Sequence, residues 1–260
     1  MDEITRYNQE RWNALVQANI EWSRPALDLT PEPARLAVDP FDIMGDVQGR
    51  TVLCLASGGG QQSVAFALLG AQVTVLDFSE HQLERDRQAL EHYGLQARLV
   101  QGDMRDLSQF GRAAFDVIWH AYSINFVPDS RPVFDQVARV LRPGGLYRIE
   151  WHNPFSMDTY ETHWTGEGYL LKHRYGDGEV IPEDPEWEIW EEGRLARKVA
   201  GPRIFSHSLS TVVNGLIGRG FILKGMWEER SRDPESAPGT WEHLKAFAPP
   251  WLTIWAQVQP

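Results

Sequence analysis

Residues 49–63 read GRTVLCLASGGGQQS, a short apolar run followed directly by three glycines. The run 51–55 has the continuous hydrophobic character of a strand that is buried on both faces of a parallel sheet. The glycines at 58–60 permit positive φ angles and let a ligand approach the backbone without meeting a Cβ atom. A helix predicted over 61–69 then directs its free N–H groups and its positive dipole end toward the turn. The stretch therefore indicates a strand, a tight turn and a helix start that favour a polar or anionic ligand.

A second apolar segment, AQVTVLD at 71–77, ends in an acid seventeen residues after Gly60. In nucleoside and dinucleotide sites a carboxylate about 20 residues beyond the glycine turn binds the ribose hydroxyls. This spacing makes Asp77 the predicted ribose ligand. Two structural alternatives stay open. A tight turn needs glycine even when it binds nothing, and Asp77 is placed to cap the next helix, although Ser79 suits that cap better.

The composition is that of an ordinary soluble globular protein with one large domain, at 260 residues and 42% hydrophobic content. The net charge of −11 and the lack of any Lys/Arg cluster argue against a nucleic-acid partner. No stretch approaches the roughly 20 apolar residues of a membrane span, and the first residues lack a signal-peptide pattern. Cys54, the single cysteine, excludes internal disulfides and cysteine-based metal sites. We therefore expect a cytoplasmic protein that holds no metal, contacts no membrane and acts on a small molecule.

Strands and helices alternate along the rest of the chain. Strands are predicted at 97–100, 114–119, 146–151, 221–228 and 252–258, and helices at 80–93, 131–141 and 208–219. Repeated βαβ units of this kind predict a doubly wound, mainly parallel sheet that binds ligands at the carboxyl ends of its strands.

Five segments together resemble the motifs of the class I methyltransferases that use S-adenosylmethionine, over 47–150 and the C-terminal strands. They are LCLASGGG, TVLDFSEHQL, QGDMRDL, FDVIWHAYSINFVPD and RVLRPGGLYRIE, in chain order. The resemblance implies an α/β fold with a doubly wound, seven-stranded Rossmann-like sheet whose last strand is antiparallel. It also implies an enzyme that transfers the methyl group of S-adenosylmethionine to a small-molecule acceptor by in-line displacement, with S-adenosylhomocysteine as product.

The resemblance carries over to a cofactor site, position by position. The implied cofactor residues are Ala56, Ser57, Gly58, Gly60, Asp77, Phe78, Gly102, Asp103, Met104 and His120. The first four line the methionine end of the cofactor, Asp77 binds the ribose and Phe78 borders the adenine. Asp103 accepts a hydrogen bond from the adenine amino group, while Met104 packs on the ring.

The sequence departs from the family pattern at two positions. Cys54 stands where an acid is common, and Ala56 replaces the first glycine of the motif. A relative of the same fold without transfer chemistry, a module that only binds S-adenosylmethionine or S-adenosylhomocysteine, is the non-enzymatic alternative. An NAD-dependent oxidoreductase of Rossmann type is the enzymatic alternative. It predicts the spacing G-x-G-x-x-G, which the contiguous glycines followed by Gln61 and Gln62 do not match.

Polar and aromatic residues follow the fourth and fifth strands, where they are expected at the carboxyl edge beside the sulfonium group. His120 and His152 are the candidate general bases, since a histidine titrates near neutral pH. The alternative for each is a loop histidine that bonds only to nearby backbone. Tyr122, Asn125 and Asn153 are the candidate contacts with the acceptor.

The region 1–46 lies ahead of the sheet. It comprises a helix predicted over 4–22 and a proline-rich connector. The helix is either mere packing or a lid over the ligand, with Tyr7 and Trp12 as its contact residues.

The segment 152–206 is too long for an ordinary connection of about 2 to 6 residues, so it is predicted to be an inserted cap. Antiparallel strands are expected within it at 169–175 and 186–191. Its aromatic residues, Trp187 among them, line an acceptor pocket, form a homodimer interface or pack a small core of their own. The predicted parts of the chain are therefore 1–46, 47–151 together with 207–260, and 152–206.

Overall fold

The computed structural model describes residues 2–181, 186–191 and 194–259. The strands in this part of the chain are β1 Thr51–Leu55, β2 Gln72–Asp77, β3 Arg98–Gln101, β4 Phe115–Tyr122, β5 Leu141–His152, β6 Glu186–Glu191, β7 Arg194–Ala200, β8 Phe221–Glu228 and β9 Trp251–Val258. The helices are α1 Glu3–Gln17, α2 Pro31–Val38, α3 Gln62–Leu68, α4 Glu80–Tyr93, α5 Arg131–Val140, α6 Leu209–Ile217 and α7 Trp241–Phe247. Within the described ranges, no helix has the length and apolar character needed to cross a lipid bilayer.

Seven strands form one sheet in the order β3-β2-β1-β4-β5-β9-β8. The first five pair in parallel, and β9 runs antiparallel to both β5 and β8. The predicted seven-stranded, doubly wound sheet is therefore confirmed. The strand order reverses between β1 and β4, and the carboxyl ends at such a switch point are where open α/β sheets bind ligands.

Both faces of the sheet are covered by apolar layers. In β1, Leu53 and Leu55 face the layer that includes α5 and α6, whereas Val52 and Cys54 face the layer that includes α2 and α3. This double burial explains why the strand is apolar at successive positions. Cys54 is fully buried in the core.

The first and last helical regions differ from the sequence prediction. The helix predicted over 4–22 is shorter than expected and ends at Gln17. Asn19 takes a positive φ of 53°, which a right-handed helix does not allow. The proline-rich connector contains α2, which begins at Pro31, and proline suits the first position of a helix. The helix α7 was not predicted. Its start is capped by Thr240, whose side chain accepts the N–H of His243.

The inserted segment contains one of its two predicted strands. The prediction at 186–191 is confirmed, since β6 pairs antiparallel with β7 in a separate two-stranded sheet. The prediction at 169–175 is wrong, because that segment forms no strand. Leu170 and Leu171 are 61% and 73% exposed. Neighbouring residues of a half-buried strand would instead alternate between a buried and an exposed face.

Candidate functional site

The glycine turn between β1 and α3 packs directly on α4. A Cβ atom added to Gly58 would lie 2.7 Å from the Cβ of Gln82. One added to Gly60 would lie 2.8 Å from the Cβ of Ala89 and 2.8 Å from the carbonyl oxygen of Arg85. Close-packed interiors do not tolerate such contacts. The glycines were expected to make room for a ligand, but α4 fills the room that these two leave.

Two buried carboxylates accept the N–H groups of the same turn. Asp77, at the end of β2, accepts from Gly58 at 2.9 Å. Asp86, in α4, accepts from Gly59 at 3.0 Å and from Gly60 at 3.1 Å. The N–H groups of the three glycines are therefore bound to protein carboxylates and not free for a ligand.

Asp86 was missed at the level of the sequence, although a signal was present. The buried stripe of α4 comprises Gln82, Leu83, Asp86, Ala89 and Leu90. A charged residue in a stripe with helical spacing is unusual, because burial of an unpaired charge is strongly unfavourable. Asp86 is fully buried and also accepts the hydroxyl of Ser63 at 2.5 Å.

The two carboxylates have perturbed acidities. Burial raises the pKa of Asp77 to about 6, against the opposing effect of its hydrogen bond from the N–H of Ser79. Burial raises the pKa of Asp86 to about 7, and the charge of Asp77 adds to this increase. Ser79 rather than Asp77 caps α4, as its side chain accepts the N–H of Gln82 at 3.1 Å. The sequence preference for Ser79 as the cap is confirmed.

The perturbed acid predicts a pH-dependent stability difference between Asp86→Asn and the parent. The folded-state pKa of Asp86 lies above its ordinary value of 3.8, so the stability it contributes is complete below pH 3.8 and is lost as the pH rises through 7. From pH 5 to pH 8 we expect the free energy of unfolding of the parent to fall by about 2 to 3 kcal/mol relative to that of Asp86→Asn. Urea denaturation of both proteins at each pH measures it, and parallel pH profiles would contradict the burial of a titrating Asp86.

Asp103 and Arg105, beyond β3, connect the sheet edge to the start of α1. Their side chains form an ion pair at 2.6 Å. Arg105 also binds Asp2 at 2.7 Å and the hydroxyl of Thr5, and Thr5 donates to Asp103 at 3.3 Å. The bond to Arg105 lowers the pKa of Asp2. The predicted adenine partner Met104 lies in the main core.

Other cofactor candidates shape the carboxyl edge. Ala56 has a positive φ of 46°, the conformation that favours the glycine usual at this position. The buried hydroxyl of Ser57 accepts the N–H of Ala121 at 3.2 Å, which joins the ends of β1 and β4. The N–H of Gly102 donates to the carbonyl of Asp77 at 3.0 Å, which joins the ends of β3 and β2.

Helix α1 crosses the carboxyl ends of three strands. Asn8, which is fully buried, donates to the carbonyl of Phe126 beyond β4 at 3.0 Å. Gln9 donates to the carbonyl of Phe78, the residue after β2, at 2.5 Å. Thr5 reaches Asp103 beyond β3. Polar bonds therefore hold α1 over the edge at which the cofactor candidates lie.

Of the two predicted contact residues in α1, only Trp12 faces this edge. Its ring lies 5.3 Å from that of Phe126 and 5.5 Å from that of Trp187, each in an edge-on contact. The structure thus brings Trp12 and Trp187 together. Tyr7 lies instead beneath the guanidinium group of Arg203, at 4.6 Å, so its predicted contact with the acceptor has no support here.

His120 is fully buried within the sheet. Its Nδ1 atom lies 2.8 Å from the hydroxyl oxygen of Tyr147. Burial, and secondarily the charge of Arg148, lowers the pKa of His120 to about 3. A neutral imidazole with so low a pKa is a poor base at neutral pH, so the structure favours a packing role for His120 over the predicted catalytic one.

Three rings meet where β4, β5 and β9 reach the carboxyl edge. Tyr122 lies 4.3 Å from Trp251 and 6.3 Å from His152, and His152 lies 4.8 Å from Trp251, between ring centroids. We name these three residues the edge cluster. Trp251 was not predicted, although the last strand was expected to be antiparallel; its pairing with β5 brings Trp251 opposite His152. Burial lowers the pKa of His152 to about 4 and raises that of Tyr122 above its ordinary value, so both rings are neutral at pH 7.

The two asparagines predicted to contact the acceptor instead hold the backbone. Asn125 is fully buried, donates to the carbonyl of Phe205 at 2.8 Å and accepts the N–H of His152 at 2.9 Å. Asn153 donates to the carbonyl of Pro249 at 2.8 Å. Both side chains bond to main chain of the segments that flank the edge cluster. The structure therefore favours a supporting role for them.

The predicted residues form two groups along one edge of the sheet. Asp77 and Asp103 lie at the ends of the neighbouring strands β2 and β3. Tyr122 and His152 lie at the ends of the neighbouring strands β4 and β5. His120 belongs to neither group, because its ring is enclosed in the core.

Known proteins are similar to this chain in sequence. Residues 53–149 match the family model described as a methyltransferase domain. The chain is 35% identical over 243 residues to the uncharacterized methyltransferase YbaJ of Bacillus subtilis, covering 88% of this chain and 92% of that protein. A demethylmenaquinone methyltransferase of Clavibacter sepedonicus is 37% identical over 38% of this chain and 40% of its own.

The fold is shared with solved structures as well. An S-adenosylmethionine-dependent methyltransferase from Mesorhizobium loti superposes with a TM-score of 0.59 at 20% identity, over 89% of this chain and 100% of that chain. The near full-length similarity to YbaJ carries the family assignment, and the sheet order agrees with it. The chain therefore belongs to the class I S-adenosylmethionine-dependent methyltransferases.

Proposed function

We propose that this enzyme transfers the methyl group of S-adenosylmethionine to a small-molecule acceptor held at the edge cluster. The position of the cluster carries the proposal, since it lies at the ends of β4 and β5, on the same edge of the sheet as Asp77 and Asp103 and separated from β2 by β1 alone. The bound cofactor supplies a methyl group on a positively charged sulfur. The protein has to hold the acceptor in line with that group and to exclude water.

The residues at the ends of β2 and β3 suit the cofactor. Asp77, at the end of β2, is proposed to bind the ribose hydroxyls. Asp103, just beyond β3, is proposed to accept a hydrogen bond from the adenine amino group with a lone pair that its ion pair with Arg105 leaves available. Beside the glycine turn, the side-chain oxygen of Gln82 is buried and has no hydrogen-bond partner among the described residues. An unpaired buried acceptor is unfavourable, and a donor group of the cofactor would satisfy it.

The edge cluster favours an acceptor with an uncharged, flat apolar body. Its tyrosine and histidine are neutral at pH 7, and tryptophan carries no charge. The nearest carboxylate in β5, Glu150, is already paired with Arg148 at 2.5 Å. Aromatic rings in edge contact offer apolar surface and hydrogen-bonding tips at their rims.

His152 is placed to orient the nucleophile rather than to remove its proton. Its Nδ1 atom lies 3.2 Å from the carbonyl oxygen of Asn153, so Nδ1 carries the hydrogen and Nε2 carries the lone pair. No hydrogen bond within the described chain involves Nε2. We propose that this nitrogen accepts a hydrogen bond from a hydroxyl or amine of the acceptor, because a pKa of about 4 makes His152 a weak base.

Two measurements test the function. Calorimetric titration with S-adenosylmethionine, S-adenosylhomocysteine and NAD should show binding of the first two only, and tight binding of NAD alone would favour the oxidoreductase. A screen of acceptors with methyl-labelled cofactor should then yield a methylated product with a ring-bearing compound. Cofactor binding without transfer to any acceptor would favour the non-catalytic module.

We further propose that α1 is a lid over the cofactor, held shut by Arg105. The double variant Asp2→Ala/Thr5→Ala should release S-adenosylhomocysteine at least about 5-fold faster, since a partly exposed ion pair contributes about 1 kcal/mol and Asp2 also caps α1 by accepting the N–H of Thr5. Stopped-flow tryptophan fluorescence measures the release rate. High salt should speed release from the parent more than from the variant, because it screens the pair.

The matched control is Asp135→Ala, which removes an ion pair with Arg219 of the same 2.7 Å length away from the edge. Its release rate should equal that of the parent. Equal rates for the double variant and the parent would contradict the lid.

A further inference from the structure

We propose that Asp86 positions the glycine turn for the cofactor and does from α4 what an acid at position 54 of β1 would do. The inference rests on the proposed cofactor site at this turn. It concerns a residue that acts through the turn and makes no contact with the cofactor itself.

The carboxylate of Asp86 accepts three hydrogen bonds at the turn. One oxygen accepts the N–H of Gly59, and the other accepts the N–H of Gly60 and the hydroxyl of Ser63. Ser63 lies in the first turn of α3, so a single side chain connects the turn, the start of α3 and the buried face of α4.

A packing role alone does not account for an acid at this position. An apolar side chain would cover the turn at lower cost, because a buried carboxylate loses its hydration. The two carboxylate oxygens accept hydrogen bonds in fixed directions, which an apolar side chain cannot do. They set the orientation of two successive peptide groups whose glycines have φ angles of 124° and 82°.

Position 54 lies near the end of β1, the strand that leads into the glycine turn. Burial, and secondarily the charge of Asp86, raises the pKa of the Cys54 thiol, which is fully buried. The resembling family often carries an acid at this strand position. Asp77 and Asp86 already place two carboxylates at the turn, and a third at position 54 would be repelled by them.

The test measures binding of S-adenosylhomocysteine by calorimetry to the parent, Asp86→Ala, Cys54→Asp and the double variant. We expect at least about tenfold weaker binding for Asp86→Ala and weaker binding for Cys54→Asp, which adds a third carboxylate to those of Asp77 and Asp86. The double variant should bind more tightly than either single variant.

The matched control is Asp39→Ala. Asp39 is also buried and also accepts two backbone N–H groups, from Ile43 at 2.9 Å and from Met44 at 2.7 Å, but it lies beyond α2 and away from the turn. Its loss should lower the Tm and leave the affinity of the folded protein within twofold of the parent. A purely structural role for Asp86 would give this same result.

Each outcome decides the proposal. Unchanged affinity in Asp86→Ala overturns it, as does a double variant no better than Asp86→Ala. If Asp86→Ala does not fold, Asp86→Asn keeps the side-chain shape and one acceptor oxygen, and it should still bind several-fold more weakly; parental affinity in this variant overturns the proposal. A parent that binds no S-adenosylhomocysteine would overturn the cofactor site as well, so the two failures are distinguishable.

Discussion

Asp77→Ala is expected to weaken the binding of S-adenosylhomocysteine by at least about 100-fold. In the proposed site the ribose hydroxyls would lose a charged acceptor, and hydrogen bonds to charged groups contribute about 1.5 to 3 kcal/mol each. The loss would also free the N–H groups of Gly58 and Ser79, which the two oxygens of Asp77 accept at 2.9 and 2.8 Å. The variant would therefore lose both the contact with the cofactor and the hydrogen bonds that fix the conformation of the turn.

Calorimetry at pH 8 measures this loss, since Asp77, with a pKa of about 6, is ionised there. Binding to the parent should weaken as the pH falls through 6, because protonation removes the charged acceptor. Asp77→Asn, which keeps the shape of the side chain, should lose most of this pH dependence. A folded Asp77→Ala variant with parental affinity would remove Asp77 from the cofactor site.

Tyr122→Leu is expected to lower turnover by about 100-fold with the acceptor that the screen identifies. The substitution removes the ring that contacts both Trp251 and His152, so the acceptor would no longer be held in line with the methyl group. Misalignment of about 1 Å can lower a rate by this factor. The affinity for S-adenosylhomocysteine should stay within twofold of the parent, because the proposed nucleoside contacts come from β1, β2 and β3.

Two further variants serve as controls for Tyr122→Leu. Tyr122→Phe keeps the ring and should retain most of the turnover, since the neutral phenol is not proposed to exchange a proton. Trp241→Leu removes an exposed aromatic residue at the start of α7, outside the edge cluster, and should behave like the parent. Full turnover by Tyr122→Leu would place the acceptor elsewhere.

The sequence by itself determined the sheet and the likeness to the family. The strand predicted at 221–228 has the same bounds as β8, and the run 51–55 is β1. Strands buried on both faces are apolar at successive positions, and the helices between them have helical periodicity, so both can be recognised locally. Asp77 could also be placed at the end of its strand, because its position depends only on spacing along the chain.

Only the tertiary structure decided which polar side chains meet. Asp86 reaches a turn more than twenty residues before it, and Arg105 binds Asp2 from across the sheet edge. Such partners depend on how helices pack, and no local pattern encodes that packing. Their contribution to the candidate site was therefore invisible in the sequence.

The faces of β4 were decided in the same way. His120 is paired in register with Ile149, but Tyr122 is paired with Glu150, because a bulge shifts the register between them. Without the bulge the two side chains would share a face, since strand residues alternate with a period of two. The extra residue leaves His120 in the core and brings Tyr122 to the edge cluster. A bulge of one residue has no distinctive sequence pattern, so it could not be predicted from the sequence. It nevertheless determines which of these two side chains can reach a substrate.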